Sequence, residues 1–203
     1  MIDSKLAMSG KLGTRVIRAA GPGWAWRLRN TLRISYLWGL LTVGAAKALS
    51  ALTGIPTMTA ELRAVLVRAD GQRVNYGLLS RRSITTAFVN YMVDQLQTET
   101  STWGDFKYHD SGVGSTAENI TNTDMETTDG ESRVSGTQTE GAANVYVSVG
   151  TIAYTTTKAI TEHGLFNAST SGTLMDRSVF SAINVVNGDS IQFTYSLTVS
   201  SGG

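Results

Sequence analysis

Apolar and polar residues alternate through much of the second half of the chain. Residues 190–199 do so without interruption: the odd positions Ile191 to Val199 are apolar and the even positions are polar. A period of two is typical of a strand with one buried face. Similar runs, rich in Thr, Val, Ile, Tyr and Phe, predict further strands at 104–109, 132–138, 143–154, 158–167 and 173–184. No helical connectors separate these late strands, which disfavours a parallel α/β sheet.

A hairpin and a helix precede these strands. Residues 61–69 alternate, and Asp70-Gly71 predicts a type I′ turn into a partner strand over 72–79. A helix is predicted to begin at Ser83 or Thr85. Its apolar stripe, predicted to be core, consists of Phe88, Tyr91, Met92 and Leu96. About eight short strands with one helix are typical of a mainly β fold, an antiparallel, jelly-roll-like β-sandwich.

The first part of the chain has a different pattern. Glycine and proline interrupt residues 1–30, and Thr31 is predicted to cap a mostly apolar helix that extends to Leu52. Its uncharged run, Ile34–Ala46, is shorter than the roughly 20 residues of a membrane span and ends before Lys47. We therefore divide the chain into an extended or helical arm over 1–57, basic and Trp-containing, and a β-sandwich domain over 58–203.

The arm has three interpretations at this stage. Tryptophan and arginine dominate protein interfaces, which favours a segment that docks on another protein. The same residues suit a membrane interface or, with small residues near Ser50, a signal segment; an ordinary core helix is the third possibility. The docking interpretation selects as partner-binding residues Trp24, Trp26, Arg27, Arg29, Arg33 and Trp38.

Charge is distributed unevenly, although the formal net charge is only +1. Residues 1–53 carry eight basic and one acidic side chain, whereas residues 104–203 carry four basic and eleven acidic ones. This asymmetry predicts either two parts with different partners or an arm that docks on the acidic face of a neighbouring copy. The irregular spacing and high apolar content of the basic part disfavour nucleic acid as the partner.

Candidate chemistry is sparse. The absence of cysteine excludes disulfides, zinc–thiolate sites and thiol catalysis. His109 and His163 are expected to be satisfied strand-end or surface residues, and no Gly-x-Ser-x-Gly motif is present. The acidic cluster of residues 124–131 lacks EF-hand spacing and lies in a long polar stretch, Ser111–Ser132, predicted to be a surface excursion that could cover a neighbouring subunit. No catalytic residue, cofactor or metal site is predicted.

Several stretches of the β domain resemble structural proteins of tailed-bacteriophage virions, of the capsid-decoration or cement type. The resemblance covers about residues 58–203 and leaves out the arm. The matching stretches are Glu61–Ser83, Phe106–Thr116, Ile160–Phe166, Leu174–Asn184 and Asn187–Thr198.

The resemblance implies a non-enzymatic virion component on the capsid surface. Its expected partners are the major capsid protein and copies of itself, as a trimer or other symmetric homo-oligomer; a small-molecule substrate and a membrane are not expected. Deleting 1–57 is expected to leave a folded domain that no longer binds capsids. The alternatives are a tail, neck or fibre-base component, a membrane-anchored domain, and a glycan- or receptor-binding module with Trp103 and Tyr108 as stacking residues.

Overall fold

A computed structural model of the chain describes residues 21–82, 84–97 and 105–200. Three helices are present among them: α1 (Trp24–Thr31), α2 (Ile34–Thr53) and α3 (Thr86–Gln97). The strands are β1 (Thr57–Val67), β2 (Arg73–Arg82), β3 (Tyr108–Gly112), β4 (Val134–Ser135), β5 (Thr137–Ala142), β6 (Val145–Ala153), β7 (Lys158–Phe166), β8 (Leu174–Val185) and β9 (Ser190–Ser200). The positions of all these strands agree with the predicted alternating runs to within a few residues, except near residues 104–112 and 132–142.

Two antiparallel sheets form the predicted β-sandwich. The first has the order β2-β1-β9-β6-β5 and the second the order β4-β3-β7-β8. Strand β1 pairs with β9 along its whole length, so the first and last strands of the β domain lie side by side. The mainly β fold, an antiparallel β-sandwich with one helix in the domain and helices before it, is therefore confirmed. Its jelly-roll-like character stays a prediction.

The alternating residues of β1 and β9 build the core between the sheets. Leu62 and Leu66 on β1 and Ile191 and Phe193 on β9 are buried, as their period of two predicts. Val199 is the exception, because it lies at the end of β9 and is exposed. Strands β7 and β8 are buried on both faces, since residues 113–133 cover the outer face of the second sheet. Their sequences alternate less clearly for this reason.

The sandwich is closed along one side by the chain itself. The predicted strand over 132–138 is in fact two strands, β4 in the second sheet and β5 in the first, and the chain crosses between the sheets at Gly136. A Cβ atom on Gly136 would lie only 2.7 Å from Nε2 of the buried His109. Glycine is thus required where the strand bends over this imidazole.

The arm closes the opposite side. Asn30, which is buried in α1, donates its amide N–H to the carbonyl of Leu79 on β2 (3.3 Å), and its amide oxygen accepts the N–H of Ser181 on β8 (3.1 Å). One side chain therefore bonds to the edge strands of both sheets. Because exposed strand edges invite pairing with other chains, α1 protects both edges and belongs to the packed structure of the sandwich. Whether residues 58–203 fold alone remains a prediction.

We expect Asn30→Ala to lower the free energy of unfolding by about 2–3 kcal/mol, because it removes the partners of the buried Leu79 carbonyl and of the partly buried Ser181 N–H. Arg29→Ala is the matched control, since Arg29 is exposed on the same helix. Urea denaturation of the full chain measures both. Equal stability of the two variants would show that the two edges do not depend on Asn30.

Two local predictions are wrong. Thr31 does not cap the long apolar helix: it ends α1, and α2 begins at Ile34 after Arg33. Asp70-Gly71 does not form a type I′ turn, because only Gly71 has a positive φ, of 83°. Instead the Gly71 N–H bonds to the carbonyl of Arg68, and the Asp70 side chain accepts the N–H of Gln72. This is a longer hairpin loop with its left-handed residue at glycine.

Three further predictions differ in detail. Strand β3 begins at Tyr108 rather than at 104, and residues 98–104 lie outside the described ranges. Ser111 belongs to β3, and the polar stretch that follows it packs on this chain's own second sheet. Leu96 is 78% exposed and does not join the stripe, whereas Phe88 is buried and Tyr91 and Met92 pack against the core. The helix diverges from the sandwich towards its end, which periodicity alone does not reveal.

Candidate interaction surface

The predicted partner-binding residues lie on α1, α2 and the turn between them. Trp24 is 79% exposed and Trp38 66% exposed. Arg27 and Arg29 are also exposed. Arg33 is half-buried, and this partial burial lowers the pKa of its guanidinium. These five residues are thus at or near the surface of the arm, and their role in binding a partner stays a prediction.

Trp26 faces this chain's own domain. Its indole N–H donates to the carbonyls of Ser181 (3.1 Å) and Ala182 (3.0 Å) on β8. Its ring meets the ring of Tyr76 on β2 edge-on, with centroids 4.6 Å apart. Trp26 therefore acts together with Asn30 to hold α1 across the two sheet edges, a role that the sequence analysis did not foresee.

Helix α2 packs on the sandwich with its small residues. Gly39, Val43 and Ser50 are buried and lie on one helical face, which contacts β2 and β1. A Cβ atom on Gly39 would collide with the backbone carbonyl of Arg81 on β2. The glycine therefore permits the close approach of helix and strand.

The opposite face of α2 presents its large apolar residues to solvent. Leu41 is 67% and Leu52 85% exposed. The exposed positions of α2 also include Leu37 and Leu49. Five of the exposed positions follow one another in steps of three and four residues and form one stripe: Trp38, Leu41, Ala45, Ala48 and Leu52. We call these five residues the α2 stripe. An amphipathic helix normally buries its large apolar residues, so the orientation of α2 is inverted.

The sequence on both sides of the α2 stripe is basic. Residues 21–60 contain Arg27, Arg29, Arg33 and Lys47 and no acidic residue. An apolar stripe among cations complements an apolar surface with an acidic rim. Within the described ranges no single helix is long and apolar enough to cross a membrane; the bent pair Trp24–Thr31 and Tyr36–Thr53, at 56°, meets the length and composition criteria only when the two are taken together.

The two histidines lie together in the core rather than at strand ends or on the surface, so that prediction is wrong. His109 on β3 and His163 on β7 are both 0% exposed, and Nδ1 of His109 lies 2.9 Å from Nε2 of His163. Nε2 of His109 lies 2.8 Å from Oγ of Ser148 on β6. Burial lowers the pKa of His109 to about 4 and holds the pKa of His163 well below its usual range.

Neutral rings impose a definite arrangement of protons. In a neutral imidazole one nitrogen donates and the other accepts. His163 Nδ1 is buried without a hydrogen-bond partner among the described residues. Placing the His163 proton on Nε2, where it is donated to His109 Nδ1, avoids a buried N–H without an acceptor. His109 then donates from Nε2 to Ser148.

Ser148, His109 and His163 are hydrogen-bonded one to the next like the members of a catalytic triad, but they are not accessible to a substrate. Ser148 is 0% exposed like both histidines, so no substrate reaches its hydroxyl while the sandwich is closed. The sequential triad His109, Asp110 and Ser111 does not form either, since neighbouring strand residues point to opposite faces. Asp110 pairs with Arg133 at 3.0 Å, away from the imidazole. We therefore interpret the histidines as a polar part of the core.

The long stretch 113–133 is held by carboxylates. Oε1 of Glu162, a buried residue on β7, accepts the N–H groups of Gly114 (3.0 Å) and Thr127 (2.8 Å). Its Oε2 accepts the N–H of Glu126 (3.2 Å) and a hydrogen bond from the buried Arg177 on β8 (2.7 Å). Four donors thus converge on one carboxylate, and three of them fix the backbone of this stretch.

Other acidic residues act in the same way. Glu131 accepts a hydrogen bond from Lys158 (2.7 Å) and the N–H of Thr155 (3.1 Å), which together lower its pKa to about 2. Burial alone would raise the pKa of Asp189, but the N–H of Val186 and the guanidinium of Arg68 outweigh it and lower the pKa. Much of the acidic surplus of residues 104–203 is therefore engaged within the chain, which leaves little of it to form an acidic face for a neighbour's arm.

The acidic cluster does not gather around a common point. Asp124 accepts the N–H of Met125, Glu126 that of Thr116 and Asp129 that of Glu131. In the part of the chain that the structure describes, no group of three or more His, Asp or Glu side chains is placed to hold a metal ion.

The described structure includes only one of the two predicted glycan-stacking residues. Tyr108 is half-buried and packs against Met125, Phe166 and Leu174, and Trp103 lies outside the described residues. Comparison with known proteins adds no assignment: no protein-family model and no curated protein matches the chain.

Proposed function

We propose that the protein is a non-catalytic structural component of a bacteriophage virion, which decorates the capsid by binding major capsid subunits through its arm. The observation that carries the proposal is the inverted orientation of α2. A helix that turns Gly39, Val43 and Ser50 to its own domain and Leu and Trp side chains outward gains further burial when a second molecule covers it. The resemblance of residues 58–203 to capsid-decoration proteins supports the same class.

The chemistry of the arm suggests the character of the partner surface. The α2 stripe needs an apolar groove, and the cations around it need an acidic rim. Trp24 and Trp38 supply the large exposed aromatic rings that dominate interface energetics. The symmetric oligomer is part of the proposal as well, because repeated weak contacts on a shell add up through multivalency.

The test uses one substitution at two exposed leucines. We expect Leu41→Glu to reduce binding of the full chain to decoration-free capsids of the encoding phage by about tenfold or more, because a charge would be buried in the apolar contact. Leu96→Glu, on the exposed end of α3, is the matched control and should bind within about twofold of the unaltered chain. Cosedimentation with capsids measures both variants.

Three outcomes would contradict the proposal. Equal binding by the two variants would remove the role of the α2 stripe. Loss of self-association in Leu41→Glu without loss of capsid binding would make the stripe a contact between copies. A count of only a few copies per particle, measured by mass spectrometry of purified virions, would favour the tail, neck or fibre-base alternative over the capsid shell.

A further inference from the structure

A second feature, separate from the α2 stripe, lies where the arm meets the sandwich. A cavity of about 420 Å³ opens between α1, the start of α2 and β2. This volume falls in the range of roughly 300–1,000 Å³ that is typical of small-molecule sites. The residues that define its chemistry are Trp26, Arg27, Tyr36, Asn75 and Tyr76.

Three aromatic side chains line this cavity. The mutual packing of Trp26 and Tyr76, at 4.6 Å between centroids, fixes two of the rings. The hydrogen bonds from Trp26 to β8 fix the indole further. Rings that are already held in place lose little conformational freedom when a ligand stacks on them. Two of the three rings are thus held in place before a ligand enters.

The polar groups of Trp26 and Asn30 are already bonded within the chain, but other polar groups of the lining are available to a ligand. Within 21–82, 84–97 and 105–200, no hydrogen bond engages the hydroxyl groups of Tyr36 and Tyr76 or the amide nitrogen of Asn75, whose oxygen accepts the N–H of Gly77. Arg27 makes a single long contact, from Nε to the carbonyl of Pro22 at 3.4 Å, and no ion pair with any acidic residue of those ranges.

These groups select a class of ligand. Aromatic faces suit the C–H surface of a sugar ring, and hydroxyl and amide groups suit its hydroxyls. Among the described residues that line the cavity, Arg27 is the one with a charged side chain. A guanidinium recognises a carboxylate through two parallel hydrogen bonds. We propose that the cavity binds a pyranose sugar that carries a carboxylate, such as a uronic acid residue of a surface glycan.

This inference goes beyond the capsid-binding role and does not depend on it. It also differs from the glycan hypothesis of the sequence analysis, since it uses neither Trp103 nor Tyr108. Leu41→Glu, which tests capsid binding, lies outside the cavity lining, so the failure of one proposal is distinguishable from the failure of the other.

The test is a calorimetric titration of the full chain with sodium glucuronate, glucose and inorganic phosphate. We expect saturable binding of glucuronate, and binding of glucose that is weaker by about tenfold because the guanidinium pair is lost. Arg27→Gln should reduce glucuronate binding to the level of glucose. Arg29→Gln, which removes the same charge from the same helix outside the cavity, should change binding by less than about twofold.

The outcomes separate the possibilities. Phosphate binding as tight as that of glucuronate would reduce the site to a simple anion site and overturn the sugar assignment. An equal loss of glucuronate affinity in Arg27→Gln and Arg29→Gln would indicate diffuse attraction by the basic arm and would contradict the proposal. The absence of saturable glucuronate binding would contradict it as well. Both arginines are exposed, so both glutamine variants should keep the thermal unfolding midpoint of the unaltered chain. Tyr76→Phe is a further variant, which removes only a hydroxyl group from the cavity.

Discussion

Replacing Glu162 with glutamine is expected to lower the free energy of unfolding by about 3–5 kcal/mol, the loss typical of breaking a buried ion pair from one side. The carboxylate accepts four hydrogen bonds, two at each oxygen. Glutamine has one oxygen for two of these donors, and its NH₂ group would face the other two. In either orientation of the amide, two of the four buried donors therefore lose their acceptors. The NH₂ group adds two further N–H donors that have no acceptor.

The consequence should be local as well as global. Because Glu162 fixes the backbone at Gly114, Glu126 and Thr127, hydrogen exchange at these amides should accelerate in Glu162→Gln more than exchange in β1 and β9. Glu140→Gln on the exposed strand β5 is the matched control and should change stability by less than about 0.5 kcal/mol. Equal urea midpoints for the two variants would show that the network does not hold the long stretch.

Local patterns predicted most of the sandwich. The alternation in β1 and β9 is an unambiguous signal because one face of each strand packs on the core and the other does not. The division of 132–142 into β4 and β5 was missed, since the bend at Gly136 depends on His109, which is distant in sequence. Glycines that make room for a particular side chain have no local signature. Gly150 on β6 is a second case, because a Cβ atom there would also meet the His109 ring.

The contacts of the arm with the sandwich were not predictable from the sequence. A segment that docks on another protein was one of the three interpretations of the arm, and α2 does expose Trp38 and several leucines. Their role in binding a partner stays a prediction. The pattern did not distinguish Trp26 from Trp24, because which face of α1 meets the sheets depends on the unpaired groups at the edges of β2 and β8. Asn30 had a weak signal available: a lone amide among apolar and basic residues often marks a specific hydrogen bond.

The uneven distribution of charge predicts partners, but the acidic surplus of residues 104–203 has in part another cause in the structure. Glu162, Glu131 and Asp189 each accept backbone N–H groups. A carboxylate used in this way needs no equal number of cations, so an acidic surplus accumulates in a domain with long ordered loops. The basic surplus of residues 21–60 is different, because Arg29 is exposed and has no such use among the described residues of the chain. This basic surplus remains the better indication of a partner.

Acid should destabilise the protein through its two histidines. Folding lowers the pKa of His109 from 6.5 to about 4 and that of His163 well below 6.5, because burial disfavours their charged forms. The unfolded chain therefore binds more protons than the native one below pH 6.5. The stabilising effect of the neutral rings is complete above the unfolded pKa and is lost as the pH falls from 6.5 towards about 4. For His109 alone the shift corresponds to about 3 kcal/mol.

Other groups titrate outside this window or with the opposite sign. The pKa values of Glu61, Glu131 and Asp189 are lowered by their cationic and backbone donors, so their contribution is lost only below their unfolded values of about 4. Burial raises the pKa of Asp110 despite its pairing with Arg133, and this residue stabilises the native state towards lower pH. A loss of stability between about pH 6.5 and 5 is therefore expected to come from the histidines.

Urea denaturation across that interval measures the effect. The free energy of unfolding should fall with a slope that approaches about 2.7 kcal/mol per pH unit, which is the value for two protons taken up on unfolding. The chain contains only two histidines, so proton NMR of the native protein provides the internal control: both ring signals should stay in their neutral positions down to about pH 5, and in urea both should titrate near 6.5. A native imidazole that titrates near pH 6.5 would mean that the histidine pair is open to water. The buried hydrogen bonds between Ser148, His109 and His163 would then not describe the core.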